Sequence, residues 1–545
     1  MKKLILIVFA TLLCSNLLAV MDSNSKIEKW GFYELSLPGP SKGNPFIDIE
    51  FSAVFKQDDR TFEPNGFYDG NGIFKIRFMP DKEGIWTYKT KSNREELNGK
   101  EGQFECIAPS KDNHGPVRVA NTFYFAYADG KPYYPFGTTA YAWTHMSQEI
   151  QEMTLNTLKN SGFNKVRMCV FPKNHDLVKE EPEIYPFPME VKKDSSGKDI
   201  KVWDFNQFNP AFFQHLEKRI NDLSRLGIEA DLILFHPYDK GRWGFDAMSN
   251  EVNIRYIKYL TARLSSFRNV WWSMANEFDL VKAKSHDDWD LLSKTVVASD
   301  PYRHLCSIHG STARYYEYWK PEFTHVSVQD EAPVMNFGAA AILRNAYSKP
   351  IIYDEVGYEG NLKQRWGWYS PEEMTYLVWM GVIGGTYVTH GEAYMFKDNT
   401  DIIFWAKGGE FKGTSWKRIA FLRKIVEECP NPLQMADVSR DNYTSTAGSG
   451  YYIIYFGKEM NESWLFNLPI RNGRNASKAA NYKKPVQGTR FKVEIIDTWD
   501  MTIQTCPLTF ETTKEIDYRV YDKDFQKVRL PLKPYIALRI TEIPQ

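Results

Sequence analysis

Residues 269–277 read NVWWSMANE, and residues 349–360 read KPIIYDEVGYEG. Each is a short apolar run that stops at carboxylates or their amides, Asn276-Glu277 in the first and Asp354-Glu355 in the second. A strand that is apolar on both faces belongs in a parallel sheet covered by helices. Six more runs of this kind flank them: YYPFGTTAY (133–141), NKVRMCVF (164–171), EADLILFH (229–236), HLCSIHG (304–310), THVSVQ (324–329) and GTYVTHGE (385–392). Helical patterns alternate with the runs, such as AFFQHLEKRINDLSRLG before the third and NIRYIKYLTARLSSF before the fourth. Ser370-Pro371-Glu372-Glu373 has the serine, first-turn proline and glutamate of a capping box. Eight strands, each followed by a helix, predict an α/β chain built on a (β/α)8 TIM barrel. A doubly wound sheet would more often have five or six strands and a Gly-rich first turn, which is missing.

On either side the period changes to that of short antiparallel strands. FIDIEFSAVF (46–55) and FKIRFMP (74–80) precede the barrel, with a turn at Asp81-Lys82-Glu83-Gly84. YYIIYFG, ESWLFNL, RFKVEIIDTW and YIALRITEI follow it between 451 and 543. The expected organisation is a signal peptide at 1–21, an N-terminal Ig-like β-sandwich at 22–115, the catalytic barrel at 116–430 and a C-terminal β-sandwich at 431–545.

A chain of 545 residues can bury a large core without disulfide or metal staples. Its 68 Lys+Arg balance 68 Asp+Glu, and no basic stripe stands out, which argues against a nucleic-acid partner. Aromatic residues make up 15% of the chain, enough for exposed rings that stack on sugar faces. Lys2 and Lys3 precede an apolar stretch from Leu4 to Leu13, with Ala19 at a cleavage position, so the chain is expected to be secreted or periplasmic, with no transmembrane segment. Cys14 would allow a surface lipid anchor, but Leu12 and Leu13 before it are not the small residues such an anchor follows. Cys106, Cys169, Cys306, Cys429 and Cys506 are sparse and form no Cys-x-x-Cys pair, so neither a disulfide framework nor a zinc site is expected.

In such a barrel the chemistry sits at the C-terminal strand ends. Those positions hold Arg167, His236, Asn276-Glu277, His309, Gln329, Asp354-Glu355, and His390 with Glu392. Seventy-eight residues separate Glu277 from Glu355, or 26 for each of three βα units, which sets them across the mouth from each other. Facing carboxylates are what glycosidic cleavage requires, one to protonate the leaving oxygen and one to meet the anomeric carbon. The alternative is that one or both are structural strand-end glutamates, and Asp354 competes with Glu355 for the active role.

Those two segments resemble the strand-four and strand-seven signatures of the cellulase-like superfamily of retaining glycoside hydrolases. Within it the nearest likeness is to the bacterial apiosidase-like barrels, whose strand one is similar to YYPFGTTAYAW (133–143). The resemblance implies Glu277 as acid/base, Glu355 as nucleophile, Asn276 as partner of the sugar 2-hydroxyl, and Arg167 as the residue that orients the nucleophile. That superfamily often has Tyr or His at the strand-six end, touching the nucleophile. Here Ser327-Val328-Gln329 stands there, which leaves Gln329 or His309 for the contact.

His145, His236, His309 and His390 invite a metal reading, but strand one lacks the His-x-His usual in metal-dependent hydrolase barrels, and no metal or cofactor is expected. The barrel has no Gly-x-Ser-x-Gly elbow for serine catalysis. Tyr141, Trp143, Trp243, Trp366, Trp368, Tyr394 and Trp405 follow strands on the same face; any one alone reads as packing, and their shared position points to some of them as sugar platforms. The long segment from Pro172 to Phe208 is a candidate rim. The expectation is a secreted retaining glycosidase that cleaves β-type bonds in plant or algal polysaccharides or their oligosaccharides. A carbohydrate-binding barrel without turnover and a metal-assisted barrel hydrolase are the alternatives.

Overall fold

Residues 25–236, 241–335, 339–397, 401–438, 443–448, 450–469, 485–517 and 519–544 are described by a computed structural model. The segment expected to direct export, with Cys14, lies outside the described residues.

All eight expected strands form: β1 (Gly137–Thr139), β2 (Lys165–Cys169), β3 (Glu229–Phe235), β4 (Val270–Ala275), β5 (Cys306–Ser307), β6 (Val326–Gln329), β7 (Ile351–Glu355) and β8 (Tyr387–Val388). They pair in parallel and in chain order, β1 to β5 as one arc and β6 to β8 as another. Single bridges from His309 to Ser327 and from Thr138 to His390 join the arcs into a closed ring. β2, β3 and β4 are buried at every position, as strands covered on both sides must be.

The outer ring is α1 (Gln148–Ser161), α2 (Pro210–Arg225), α3 (Asn250–Leu264), α4 (His286–Ser299), α5 (Ala339–Tyr347), α6 (Pro371–Ile383) and α7 (Ser415–Glu427). Side-chain oxygens of Ser147, Asn209, Ser249, Ser285 and Ser370 cap five of these by accepting first-turn amides. The capping box at Ser370 is only half formed. Its hydroxyl accepts the Glu373 amide, but the Glu373 carboxylate takes a bond from Lys458 in the C-terminal domain.

A helix after every strand was expected, and one is missing. Residues 308–325, between β5 and β6, turn without an α-helix. Tyr316, Tyr318 and Phe323 are buried directly into the core, doing the packing of the absent helix. Gly310 permits the tight turn that starts the segment, since a Cβ there would stand 2.3 Å from the Arg314 carbonyl oxygen.

Ahead of the barrel, a five-stranded sheet including Phe51–Gln57, Gly84–Ser92 and Glu101–Ile107 faces a three-stranded one built on Tyr33–Pro38 and Ile73–Phe78. Their core includes Phe55, Phe78, Trp86 and Phe104. The sandwich meets the barrel along a buried seam of charge. Arg77 donates to Glu34 (2.7 Å) and to Glu217 of α2 (2.9 Å), while Arg263 of α3 donates to Glu217 and to Asp69 (2.7 Å), which Lys75 also meets. Behind the barrel, eight antiparallel strands form one continuous sheet. The long strand Thr502–Ile516 pairs with Arg490–Asp497 over its first part and with Arg519–Asp522 at its end, so it joins the two parts of that sheet. Among the described residues no helix is long and apolar enough to cross a membrane.

Candidate active site

The inside of the barrel is charged. Lys165 on β2 donates to Asp231 on β3 (2.8 Å) and to Asp354 on β7 (2.8 Å). Asp354 also accepts the Thr389 hydroxyl at 2.9 Å and the Ser327 hydroxyl at 2.5 Å. Lys165 and Arg167 hold its carboxyl well below the usual carboxylate range against the effect of burial. Asp354 is therefore a fixed anion inside the barrel. Its neighbour Glu355 is the last residue of β7, where the pairing with Gln329 breaks register, and its carboxylate reaches Tyr141 at the mouth.

Glu355 is half-buried, and its Oε2 lies 3.2 Å from the Tyr141 hydroxyl. The same hydroxyl is 3.1 Å from Asn276 Oδ1, which already accepts Arg167 Nη1 at 2.8 Å. Tyr141 has one proton for these two acceptors, and a carboxylate oxygen is the stronger acceptor of the two. Tyr358, three residues on, also bonds Glu355. Burial pushes the Glu355 carboxyl up, while Arg167, Lys173 and the two tyrosine hydroxyls favour its anion.

Glu277 follows β4 in the left-handed region, φ 53°, a conformation that non-glycine residues rarely hold and that concentrates at functional sites. It is 7% exposed. Asn276 Nδ2 lies 3.5 Å from its Oε2, and Gln329 also bonds its carboxylate. Burial first, and then the negative charge of Glu355, push its pKa up to about 7. Burial thus raises both carboxyls, the charge of Glu355 raises Glu277 further, and Glu355 has the hydroxyl and guanidinium partners that suit a charged form.

Around this pair the structure gathers most of the expected residues, several in altered roles. Arg167 is fully buried and bonds Asn276 and Ser273 (3.3 Å), so it braces the amide and does not reach substrate. His309 lies beneath Glu355, Nε2 to Oε2 3.9 Å, and donates to Gln329 at 3.1 Å. Burial lowers its pKa to about 3, which leaves the ring neutral. Of the two residues expected to contact Glu355 at the strand-six end, His309 lies against it and Gln329 bonds Glu277, while the hydrogen bonds to Glu355 come from Tyr141 and Tyr358. Tyr141 is a brace for Glu355, too buried to be a platform. Trp366 and Trp405 do form an aromatic wall, ring centroids 5.0 Å apart, with Tyr358 at 5.7 Å and 5.5 Å. Trp366 lines a cavity of about 290 Å³ with Glu355, Gln329 and Arg365.

Five expected residues are not in this group. Trp143 is 0% exposed, with its indole nitrogen on the Met168 sulfur at 3.4 Å. Trp243 packs against Phe245 and donates to Glu181 (3.3 Å). His236 turns to the Phe171 carbonyl (3.3 Å). His390 is stacked on Phe163 at 4.9 Å and bonds the Thr138 hydroxyl. Glu392 accepts the Lys412 and Gly413 amides, each at 2.7 Å, and so fixes the loop that leads to α7. All five are structural at these positions. The four histidines considered for metal do not converge. Among the described residues the one group of three metal-capable side chains is His286, Asp290 and Glu317, outside this site.

Sequence reading missed Tyr358, Glu359 and Lys173. Tyr358 carried a signal, an aromatic hydroxyl three residues past the strand-seven glutamate. Glu359 caps α7 by accepting the Thr414 and Ser415 amides at 2.9 and 3.2 Å. Lys173, just past β2, is buried with its Nζ 4.4 Å from the centre of the Tyr141 ring.

The family described as "Apiosidase-like, catalytic domain" matches residues 119–434. Two domains of unknown function, DUF5060 and DUF5605, match residues 26–93 and 441–541. A crystal structure from Bacteroides vulgatus ATCC 8482, described as a candidate glycoside hydrolase, is 60% identical with a TM-score of 0.91, covering 95% of this chain and 100% of that one. A glycoside hydrolase family 5 structure from the same organism shares the fold, with a TM-score of 0.55 at 12% identity over 78% of this chain and 93% of that one. No curated protein matches the chain.

Proposed function

We infer the reaction from one premise: this chain belongs to the apiosidase-like family and is a glycoside hydrolase. The proposed reaction is a retaining double displacement at a β-type glycosidic bond. The observation that carries it is a pair of carboxyls with unlike surroundings: burial and the charge of Glu355 push Glu277 up to about 7, while Glu355, itself raised by burial, has two hydroxyls and two cations that favour its anion. In the first step Glu355 attacks the anomeric carbon, the bond to the leaving oxygen breaks, and Glu277 gives that oxygen its proton. In the second, a water attacks the same carbon, yields its proton to Glu277, and the ester bond to Glu355 breaks. Two displacements at one carbon restore its configuration. Proton NMR of the first-formed product tests this directly. The β-anomer is expected, and an inverted product would show that water, not Glu355, meets the sugar.

The proposed substrate is a plant or algal polysaccharide or its oligosaccharides. The likeness to apiosidase-like enzymes and the Trp366–Trp405 wall beside the carboxyls support it. The proposed setting is outside the cytoplasm, on the strength of the basic and apolar run at the start of the chain.

The pH profile follows from the same pair. Glu355 must be ionised, so kcat/KM rises from the acid side as it loses its proton. Glu277 must be protonated, so kcat/KM falls again above about pH 7. A bell with its alkaline limb near neutrality is expected. A flat response from pH 6 to 9 would remove Glu277 from the acid role.

Asn276 presents its Nδ2 beside Glu277 while Arg167 holds its Oδ1. An amide braced this way can bond a sugar hydroxyl in one geometry only. If the bond tightens in the transition state, Asn276→Ala should lower kcat by roughly 10²-fold or more with little change in KM, since such contacts supply several kcal/mol. A rise in KM alone would make it a uniform binding contact.

A further inference from the structure

We propose that the cavity where the N-terminal sandwich meets the barrel, lined by Lys29, Arg118 and Arg303, is a second carbohydrate site. Its ligand is an acidic saccharide, a sugar that bears a carboxylate or a sulfate. The site goes beyond the reaction proposed above and shares with it only the class of ligand.

The cavity holds about 660 Å³. Residues 301–303 on its wall lead into β5 and Arg118 precedes β1, so it lies at the end where the barrel strands begin. Glu277 and Glu355 are at the other end. Five charged side chains line the cavity: Lys29, Glu63, Asp81, Arg118 and Arg303. Both acids are already paired, Glu63 with Lys91 at 2.8 Å and Asp81 with Arg60. The three cations have no ion pair among the described residues. Arg118 donates to the carbonyl oxygens of Val117 (3.1 Å) and Tyr302 (2.9 Å), which uses only part of its fork. Burial disfavours its charge, while Asp300, Glu229 and Asp81 act on it without an ion pair. A half-buried guanidinium that meets no carboxylate is costly unless an anion from outside joins it.

Local sequence sets these cations in place. Asp300 accepts the amides of Tyr302 (3.0 Å) and His304 (2.8 Å), and the turn so made holds Arg303 in the left-handed region, φ 54°. Trp30, on the same cavity, is also left-handed, φ 62°, with the Lys29 ammonium 4.3 Å from the centre of its ring. Bulky residues seldom hold that conformation, and those that do collect at ligand sites. One acceptor completes the set. Asp81 Oδ1 is buried and has no hydrogen-bond partner among the described residues. The cavity therefore offers an unmatched acceptor together with unmatched cations. A simple anion would satisfy the cations alone. An acidic sugar brings its anionic group to them and a hydroxyl donor to Asp81. A polysaccharide held here would stay at raised local concentration without filling the cleft.

Titration calorimetry on the intact chain carrying Glu355→Gln measures binding apart from turnover. The probes are an oligogalacturonate, a sulfated galactan oligosaccharide and a neutral galactan oligosaccharide. At least one acidic probe is expected to bind and the neutral one is not, and the acidic probe that binds identifies the anionic group. Adding Lys29→Gln and Arg303→Gln should weaken that binding by about tenfold or more, since charge-assisted contacts are lost. The melting temperature should not change. Lys514→Gln, at an exposed lysine of the C-terminal domain, should leave the affinity as it was. Four results would overturn the proposal: no acidic probe binds, the neutral probe binds as tightly, inorganic phosphate competes at the saccharide's own concentration, or the Lys29/Arg303 changes leave the affinity intact. If the double variant melts early, Arg303→Gln alone, at an exposed side chain, carries the test. Failure of that variant to fold would make Arg303 structural and overturn the proposal as well. Turnover of aryl glycosides should survive both changes in the otherwise unaltered protein. A failed binding test therefore leaves the reaction standing, and a failed reaction leaves the binding test intact.

Discussion

Glu355→Gln should end turnover on every glycoside, by on the order of 10⁴-fold or more, with folding unharmed. The amide is close in shape to the carboxylate and can still accept from Tyr141 and Tyr358, so the site should stay assembled. What it lacks is the attacking charge, and no neighbour can supply one. Asp354 is ionised but is locked inward by Lys165, Ser327 and Thr389. The melting temperature should hold or rise, because a half-buried anion has been removed. Activity within a factor of ten of the parent would refute the assignment, and the measurement should use both natural-type and activated substrates.

Glu277→Ala should fail differently. General acid catalysis supplies roughly 10² to 10⁴-fold, and it matters most when the leaving oxygen is a poor one. The variant should be crippled on sugar leaving groups yet able to carry out the first step on aryl glycosides whose leaving group needs no proton. The glycosyl ester would then persist for want of a base. Azide, a nucleophile that needs no deprotonation, should restore turnover of aryl substrates and give a glycosyl azide of the substrate's own configuration. The alkaline limb of the pH profile should disappear with the residue that causes it. Equal losses on both substrate types, without azide rescue, would mean that Glu277 is structural.

Most of the barrel was legible because its strands are apolar on both faces and end in polar residues, a pattern with few competing explanations. The missing helix between β5 and β6 was not. Tyr316, Tyr318 and Phe323 supply apolar mass at a spacing that fits several conformations, and only tertiary packing chooses the turns. At the site, sequence gave the end of the barrel at which a residue lies but not whether its side chain turns inward or outward. Trp143 and Trp366 both follow strands at the mouth. One is sealed against Met168 and the other lines the cavity with Glu355. His390 and Glu392 were misplaced for a related reason. They lie past β8, but Thr138 and the Lys412–Gly413 amides take them into the scaffold. Lys173 was passed over because a lysine after a proline at the start of a polar loop reads as a solvated charge, and nothing local indicates its burial.

The charged seam between sandwich and barrel bears on how such a chain can be recombined. Alone, the barrel would retain the pairing of Arg263 with Glu217 but lose Asp69, and the sandwich would leave Arg77 with Glu34 only. Each piece taken separately could hydrate its stranded ions. A graft could not, because a foreign module seated on the same face would cover Glu217 and Arg263 without offering them partners, and a buried charge stripped of its partner costs about 3–5 kcal/mol. That is a large share of what a domain has to spare. Shuffling by whole domains, which linkers ordinarily make easy, would here be screened at the level of folding before any catalytic merit was sampled. The amino-terminal module and its barrel are therefore best treated as one interchangeable part, with the point of exchange on the far side of α7.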